Sequence, residues 1–159
     1  MKVTYEMENG KKVKVKTYAD GRVYKFDEKG NRIYYKDSFG FEEWREYDAN
    51  GKETYYKGFY GFERWHEYDS NGNEIHYKDN EGREQWREYN SNGKEIHYKD
   101  NKGSEEWTEY DSNGNEIHWK DNCGYEDWSE YATDGHCIHY KDNRGNEWFC
   151  DDYEARKVC

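Results

Sequence analysis

The chain has 159 residues, of which 38% are charged, and a formal net charge of −11. This acidic balance disfavours direct binding to nucleic acid and association with anionic membranes, whereas it would attract a basic protein partner. Aromatic residues make up 19% of the sequence, while leucine and proline are absent. Rings must therefore supply most of the buried apolar surface, which predicts a thin, elongated sheet and not a thick aliphatic core.

Residues 1–39 are predicted to form an N-terminal cap followed by a degenerate repeat. Residues 1–22 hold six Lys or Arg against three acidic residues, which leaves a net charge of −14 on residues 23–159. The first 20 residues lack the apolar centre of a secretory signal, and no run of 18 apolar residues occurs. We therefore expect a cytoplasmic chain that forms a single repeat domain over residues 1–159.

Residues 40–144 contain five copies of a 21-residue repeat. The clearest column of the repeat is tryptophan, at Trp44, Trp65, Trp86, Trp107 and Trp128. Glycine recurs in two interleaved series, so a turn signal arrives every ten or eleven residues, a spacing that is typical of β-hairpins. The pattern predicts an all-β fold, an elongated antiparallel sheet of about six tandem hairpins that is single-layer or curved, with an N-terminal capping hairpin.

One repeat, residues 82–102, shows how each hairpin is expected to form. Residues 84–89 and 95–99 are rich in aromatic and β-branched residues and are predicted strands. The Asn-Gly pair between them favours positive φ at both central residues of a hairpin turn. The same pair recurs in most copies of the repeat.

Strand alternation assigns side chains to the two faces of the predicted sheet. Trp86 and Glu88 point to one face and Arg87 and Tyr89 to the other. Because both faces then carry aromatic rings, either both are partly covered or a β-bulge near Tyr89 redirects one column. Tyr98-type and Ile96-type residues are expected to lie between successive tryptophans. The recurring Glu and Lys columns, of which Glu88 and Lys99 are members, are expected to pair across strands.

Residues 145–159 are predicted to form a C-terminal cap that carries cysteine. The four cysteines, Cys123, Cys137, Cys150 and Cys159, all lie near the end of the chain. Their spacings match no CxxC pattern. Free or structural thiols, disulfides and a zinc site all remain open interpretations.

A recurring histidine column and two acidic turns suggest metal binding, but the spacing does not support it. His76, His97, His118 and His139 recur once per hairpin, so successive members should lie about 10 Å apart, too far for several to bind one ion. The turn at Asp69 places glycine fourth, whereas a calcium loop requires it sixth. We predict no metal and no cofactor. The sequence also lacks nucleophile motifs, so we expect no enzymatic activity.

The motif EYDSNGNEI, followed by YKDN and a Trp-containing strand, resembles the YD repeats of the Rhs and teneurin-like proteins. The Tyr-Asp pair occurs at Tyr47-Asp48, Tyr68-Asp69 and Tyr110-Asp111, and Tyr89-Asn90 and Tyr131-Ala132 depart from it at the second residue. The resemblance covers about residues 24–145. It implies tandem β-hairpins and, in long arrays, a shell around a toxin or other cargo.

The acidic repeat surface points to a binding function. The main hypothesis is a protein that binds a basic, nucleic-acid-handling partner and inhibits it by charge mimicry, as anti-CRISPR or immunity proteins do. Trp65, Trp86 and Trp107 would be the anchors, and Glu67, Glu88 and Glu109 would supply the electrostatic field. The alternatives are a carbohydrate-binding or cell-wall-binding aromatic repeat and a structural YD-repeat segment of a surface or toxin-delivery system. Open sheet edges would also allow edge-to-edge homo-oligomers.

Overall fold

The computed structural model describes residues 1–149. Backbone contacts divide the chain into two units, Met1–Glu84 and Gln85–Cys159, and each is described by itself. All pairing between strands is antiparallel, and no α-helix occurs within residues 1–149. The predicted all-β class of tandem hairpins is therefore confirmed.

The first unit consists of strands that pair in the order of the chain. These strands are β1 (Lys2–Glu8), β2 (Lys11–Thr17), β3 (Val23–Phe26), β4 (Arg32–Lys36), β5 (Glu42–Tyr47), β6 (Glu53–Lys57), β7 (Glu63–Tyr68) and β8 (Glu74–Asp79). The long β1–β2 hairpin is the predicted N-terminal cap. On its inner face lie Val13 and Val15, which are 3% and 5% exposed and are the only buried apolar side chains of residues 1–149.

In the described part of the second unit the strands again pair in chain order. These strands are β9 (Glu84–Tyr89), β10 (Glu95–Asp100), β11 (Glu105–Tyr110), β12 (Glu116–Asp121), β13 (Glu126–Tyr131), β14 (Cys137–Asp142) and β15 (Glu147–Phe149). No large side chain of residues 1–149 is fully buried. Half-buried aromatic rings therefore replace an aliphatic core, as the composition predicts.

Every repeat hairpin from β3–β4 to β13–β14 contains a β-bulge near its turn. In β11–β12, for example, Glu109 pairs with His118 and Tyr110 pairs with Glu116, so Ile117 between them has no direct partner. The extra residue of the six bulges is β-branched in every case, at Ile33, Thr54, Ile75, Ile96, Ile117 and Ile138. A bulge beside the Tyr89 column was one of the two alternatives that the sequence left open, and the structure contains it.

The hairpin turns differ from the prediction in one respect. Gly51 has a φ of +84°, but Asn50 does not have a positive φ. Among the non-glycine residues of 1–149, only Asn9 and Tyr60 have one. Gly51 N donates to Asp48 O at 3.2 Å, and Asp48 N donates to Lys52 O at 2.9 Å. The loop is therefore a turn closed by a single left-handed glycine. The two-residue Asn-Gly geometry was wrong for the repeats.

Aspartate explains why one left-handed residue is enough. Asp48 Oδ1 accepts hydrogen bonds from the backbone N of Asn50 at 2.8 Å and of Lys52 at 2.9 Å. The same pair of bonds recurs in most turns of both series, with asparagine replacing aspartate at Asn90. The aspartate side chain stabilises the turn, so the intervening asparagine does not need a positive φ.

In the first unit, Tyr47 and Tyr68 each link their hairpin to the one before it. Tyr47 Oη donates to Arg32 O at 3.1 Å, and Tyr68 Oη donates to Glu53 O at 3.0 Å, in both cases 15 residues back. Burial raises the pKa of both phenols. The tyrosine of the Tyr-Asp pair is therefore a joint between hairpins, while the aspartate that follows it shapes the turn.

Asparagine forms a second joint at the opposite ends of the hairpins. Asn122 N donates to Glu105 O at 2.9 Å, and Asn122 Nδ2 donates to Gly103 O in the previous turn on that edge. Asn80 and Asn143 make equivalent bonds to Gly61 and Gly124. These bonds of Asn80, Asn122 and Asn143 add to the pairing along the strands.

The cysteines are only partly covered by the described residues. Cys123 is exposed, Cys137 is half-buried, and both are free thiols. Cys150, Cys159 and the end of the predicted C-terminal cap lie outside residues 1–149. Residues 1–149 contain no helix long and apolar enough to span a membrane.

Candidate interaction surfaces

The six residues predicted to bind a partner all lie on the faces that carry tryptophan and histidine, named here the Trp-His face of each unit. In the first unit this face includes Trp44, Trp65, Glu67 and His76. In the second it includes Trp86, Glu88, His97, Trp107, Glu109, His118, Trp128 and His139. Trp107 pairs with Lys120 and Glu109 pairs with His118 before the bulge is reached, so these side chains share one face.

Trp107 and Trp128 of the second unit each lie between a histidine and a lysine side chain from the neighbouring strands. The rings of His97 and Trp107 stack with centroids 5.3 Å apart and planes 12° apart. From the other side, Lys120 Nζ lies 5.1 Å from the centroid of Trp107. His118 and Lys141 hold Trp128 in the same way. The expectation that Tyr98-type and Ile96-type residues separate the tryptophans was therefore wrong.

Histidine also determines where the glutamate columns pair. His97 Nε2 lies 3.0 Å from Glu105 Oε1, and His97 Nδ1 lies 3.4 Å from Glu88 Oε1. The same arrangement occurs at His76, His118 and His139. Lys99 instead approaches Glu105 at 4.0 Å, so the expected pairing of the Glu88 and Lys99 columns was wrong. Within residues 1–149 no group of three or more His, Cys, Asp or Glu side chains could hold a metal ion.

The predicted binding residues differ in accessibility. Trp65 and Trp86 are 38% and 37% exposed, whereas Trp107 is half-buried beneath Lys120. The side chains of Glu67, Glu88 and Glu109 are 68% to 70% exposed. This face offers carboxylates more freely than rings, and its role in partner binding stays a prediction.

The opposite face of each unit, named here the Tyr-Arg face, has a different chemistry. In the first unit Tyr56 lies between two guanidinium groups, with Arg45 Cζ 4.9 Å and Arg64 Cζ 4.8 Å from its ring centroid. Arg45 bridges Glu43 at 2.9 Å and Glu53 at 3.1 Å. The half-buried carboxylates of Glu43 and Glu53 thus share a guanidinium partner.

In the second unit the Tyr-Arg face carries acidic groups with fewer cations. Burial and the charge of Asp127 raise the pKa of Glu116. Burial also raises the pKa of Asp127, and the nearby Asp142 adds to that shift. Sequence periodicity did not reveal this difference, because the residues that supply or omit the cations lie outside the Trp, Gly and Tyr columns.

The sequence matches no family model and no curated protein at a significant level. Solved structures do show similar folds. A chain of the TcdB2-TccC3-Cdc42 crystal structure aligns with a TM-score of 0.54 and 16% identity over 74% of this chain. A chain of the TcdB2-TccC3-TEV crystal structure aligns with the same score and identity over 77% of this chain.

This chain has a YD-repeat-like fold. In both alignments it spans only 7% of the matched chain, and the low identity shows the fold alone. The motif resemblance and the structural likeness agree on tandem β-hairpins. In the YD-repeat-like fold of this chain, the turns and bulges recur from hairpin to hairpin, while the side chains of the Tyr-Arg face differ between repeats.

Proposed function

We propose that this chain is a non-catalytic, structural YD-repeat segment of a surface or toxin-delivery system. The observation that carries the proposal is the repeated joint between hairpins, made by tyrosine at one end and asparagine at the other. A wall must extend by adding equal units, and these joints attach successive hairpins in the same way at Tyr47 and Tyr68 and at Asn80, Asn122 and Asn143. The fold likeness to TcdB2-TccC3 chains supports this reading.

The distribution of polar groups supports a non-catalytic role. Catalysis by paired titratable groups needs a centre whose members have distinct environments. The Glu-His-Glu arrangement instead recurs at four successive histidines with nearly the same distances. Repetition of this kind favours a structural surface.

Co-purification of the full chain with the products of adjacent genes tests the proposal. The tagged chain is co-expressed with each neighbour, captured, and treated with a nonspecific protease. A structural segment should co-purify with a larger repeat protein or its cargo and should lower the rate of cargo digestion. Capture without protection, or no capture of any neighbour, contradicts the proposal.

A second candidate function is the binding of a basic, nucleic-acid-handling protein. Residues 85–149 contain seven Lys or Arg against fifteen Asp or Glu, and the exposed carboxylates of Glu88 and Glu109 lie on one face. Such a surface attracts a basic partner and steers its approach. This candidate predicts capture that weakens strongly when salt is raised to about 0.5 M.

Matched variants separate the two functions. Replacing Glu88 and Glu109 with glutamine should weaken a salt-sensitive partner while leaving the joints between hairpins intact. The control replaces Lys99 with glutamine, which removes an exposed charge of the opposite sign from the same face. Equal binding by the wild type and the Glu88→Gln/Glu109→Gln variant rejects charge mimicry without affecting the structural proposal.

A further inference from the structure

Four aromatic rings form a cluster on the Tyr-Arg face of the second unit, named here the aromatic platform. It consists of Trp119, Tyr125, Tyr140 and Trp148, which line a shallow depression of about 520 Å³. Three of the four depart from the repeat. Trp119 replaces a tyrosine found at that position in the other hairpins. Tyr125 stands where serine occurs one repeat earlier and arginine two repeats earlier, and Trp148 follows a column of polar residues.

The rings of the platform are held in a defined arrangement. Tyr140 and Trp148 stack with centroids 5.5 Å apart and planes 16° apart. The ring centroids of Trp119 and Tyr125 are 5.8 Å apart, and the hydroxyl oxygens of Tyr125 and Tyr140 are 2.7 Å apart. Trp148 remains 40% exposed. The hydroxyl contact therefore joins two aromatic pairs into one apolar surface with a polar centre.

Polar groups with unused hydrogen-bonding capacity border the platform. In the turns at Asp111 and Asp142, an asparagine four residues later donates to Oδ2. At Asp121 that position is Tyr125, and among residues 1–149 no group donates to Asp121 Oδ2. Arg144 lies with Cζ 4.5 Å from the Tyr125 centroid and has no ion pair within the described residues. The border thus offers both an acceptor and several donors.

This combination has the chemistry of a sugar site. A pyranose presents an apolar CH face that packs on aromatic rings, while its hydroxyls donate and accept hydrogen bonds at the ring edge. Ligand sites generally pair an apolar wall with a few placed polar groups. Asp127 and Asp142 lie on the same face and would repel an anionic sugar.

We propose that the aromatic platform binds a neutral glycan, with Trp119 and Trp148 as stacking surfaces and Asp121 and Arg144 as hydrogen-bonding groups. This site is distinct from the Trp65, Trp86 and Trp107 columns, which lie on the Trp-His faces. The proposal goes beyond the structural role and does not depend on it. A wall segment of this kind would carry a glycan-recognition site on one of its faces.

Calorimetric titration of the full chain with cellohexaose, maltohexaose and chitohexaose tests the proposal. At least one of these neutral hexasaccharides should bind with a dissociation constant at or below about 1 mM. Hexagalacturonate serves as the anionic comparison and choline chloride as the quaternary ammonium comparison. Absence of binding by all three neutral sugars overturns the proposal. Binding of choline alone also overturns it and identifies the platform as a cation site.

Variants locate the binding. Trp148→Ala and Trp119→Ala should each weaken binding about tenfold, since one stacked ring is removed. Asp121→Asn should weaken it less, because the amide keeps one acceptor. The matched control is Trp86→Ala, which removes a ring of similar exposure from the Trp-His face of the same unit and should leave affinity unchanged. Circular dichroism and the urea midpoint establish that each variant folds. If Trp86→Ala and Trp148→Ala lose glycan affinity equally, the glycan does not bind at the aromatic platform.

Discussion

The Tyr-Arg faces of the two units use the same backbone with different charges. Residues 1–84 contain sixteen Lys or Arg against eighteen Asp or Glu, whereas residues 85–149 contain seven against fifteen. In the first unit Arg45 bridges Glu43 and Glu53. In the second unit Arg87 occupies the equivalent position and pairs with Glu95 at 3.3 Å. One repeat later the equivalent residue is Thr108, whose neighbours in the repeat pattern are Glu106 and Glu116, and no cation replaces the arginine there.

The difference teaches that the fold does not depend on the charges of its faces. Both units have the same bulge, the same turn and the same antiparallel register. Backbone hydrogen bonds, turn aspartates and joints between hairpins hold the architecture, so a face can lose its arginines and remain a sheet. The cost of that loss should appear as a local change in stability and in its pH dependence.

The largest expected effect comes from removing the bridging cation of the first unit. Arg45→Ala should lower the free energy of unfolding by about 1–2 kcal/mol, because Glu43 and Glu53 lose a half-buried partner and Tyr56 loses its packing. Urea denaturation followed by tryptophan fluorescence measures the change. The equivalent Thr108→Ala should change stability by less than about 0.5 kcal/mol. If Arg45→Ala and Thr108→Ala lowered the free energy of unfolding equally, the ion pairs of Arg45 would contribute nothing to stability.

A smaller effect of opposite sign should follow from transferring the arginine. Thr108→Arg should raise the free energy of unfolding by about 0.5–1 kcal/mol, since it would place a guanidinium between Glu106 and Glu116. The gain should shrink at high salt. Thr108→Gln, which has similar length without charge, is the control. A gain in Thr108→Gln equal to that in Thr108→Arg would assign the effect to packing and not to charge.

The smallest effect is a difference in pH dependence between the units. The pKa of Glu116 is raised by burial, so its stabilising contribution is complete below the unfolded pKa of about 4.3 and is lost as pH rises through the folded pKa. Glu116→Gln should therefore be slightly more stable than the wild type near pH 7. The two should converge below about pH 4. Urea midpoints measured across this range check the trend.

Asp79 of the first unit should show the opposite sign. Burial alone would raise its pKa, but hydrogen bonds from Arg83 and Tyr77 outweigh burial and lower it. Its contribution is present above the unfolded pKa and is lost as pH falls through the folded pKa. Asp79→Asn should therefore be less stable than the wild type at pH 7 and should approach it below about pH 3. If the stability of Asp79→Asn and of Glu116→Gln relative to the wild type changed with pH in the same direction, the expected difference between the two carboxyl groups would be wrong.

Periodicity predicted much of the fold and little of the contacts. The Trp and Gly columns place the hairpins correctly, because turn residues and strand residues act over short distances. The Asn-Gly prediction was wrong because the aspartate that precedes the pair by two residues favours another loop. The pairing of Glu88 was wrong because the register between strands, and not the order of charges along one strand, determines its neighbour.

The candidate surfaces were likewise predicted only in part. Alternation placed Trp86 and Glu88 on one face, as the structure confirms. The aromatic platform escaped prediction because Trp119, Tyr125 and Trp148 come from different strands and meet only after pairing. Its clearest signal in the sequence is negative, namely the loss of the repeat pattern at those three positions.

By itself, the sequence determined the hairpin unit, its 21-residue period, the positions of its turns and the alternation of its faces. These features follow from local backbone preferences and the two-residue period of a strand. The tertiary structure decided the bulge register, the tyrosine and asparagine joints, the histidine partners and the difference in charge between the two Tyr-Arg faces. These features depend on which side chains neighbouring strands bring within a few ångströms of one another, and that distance exists only once the strands have paired.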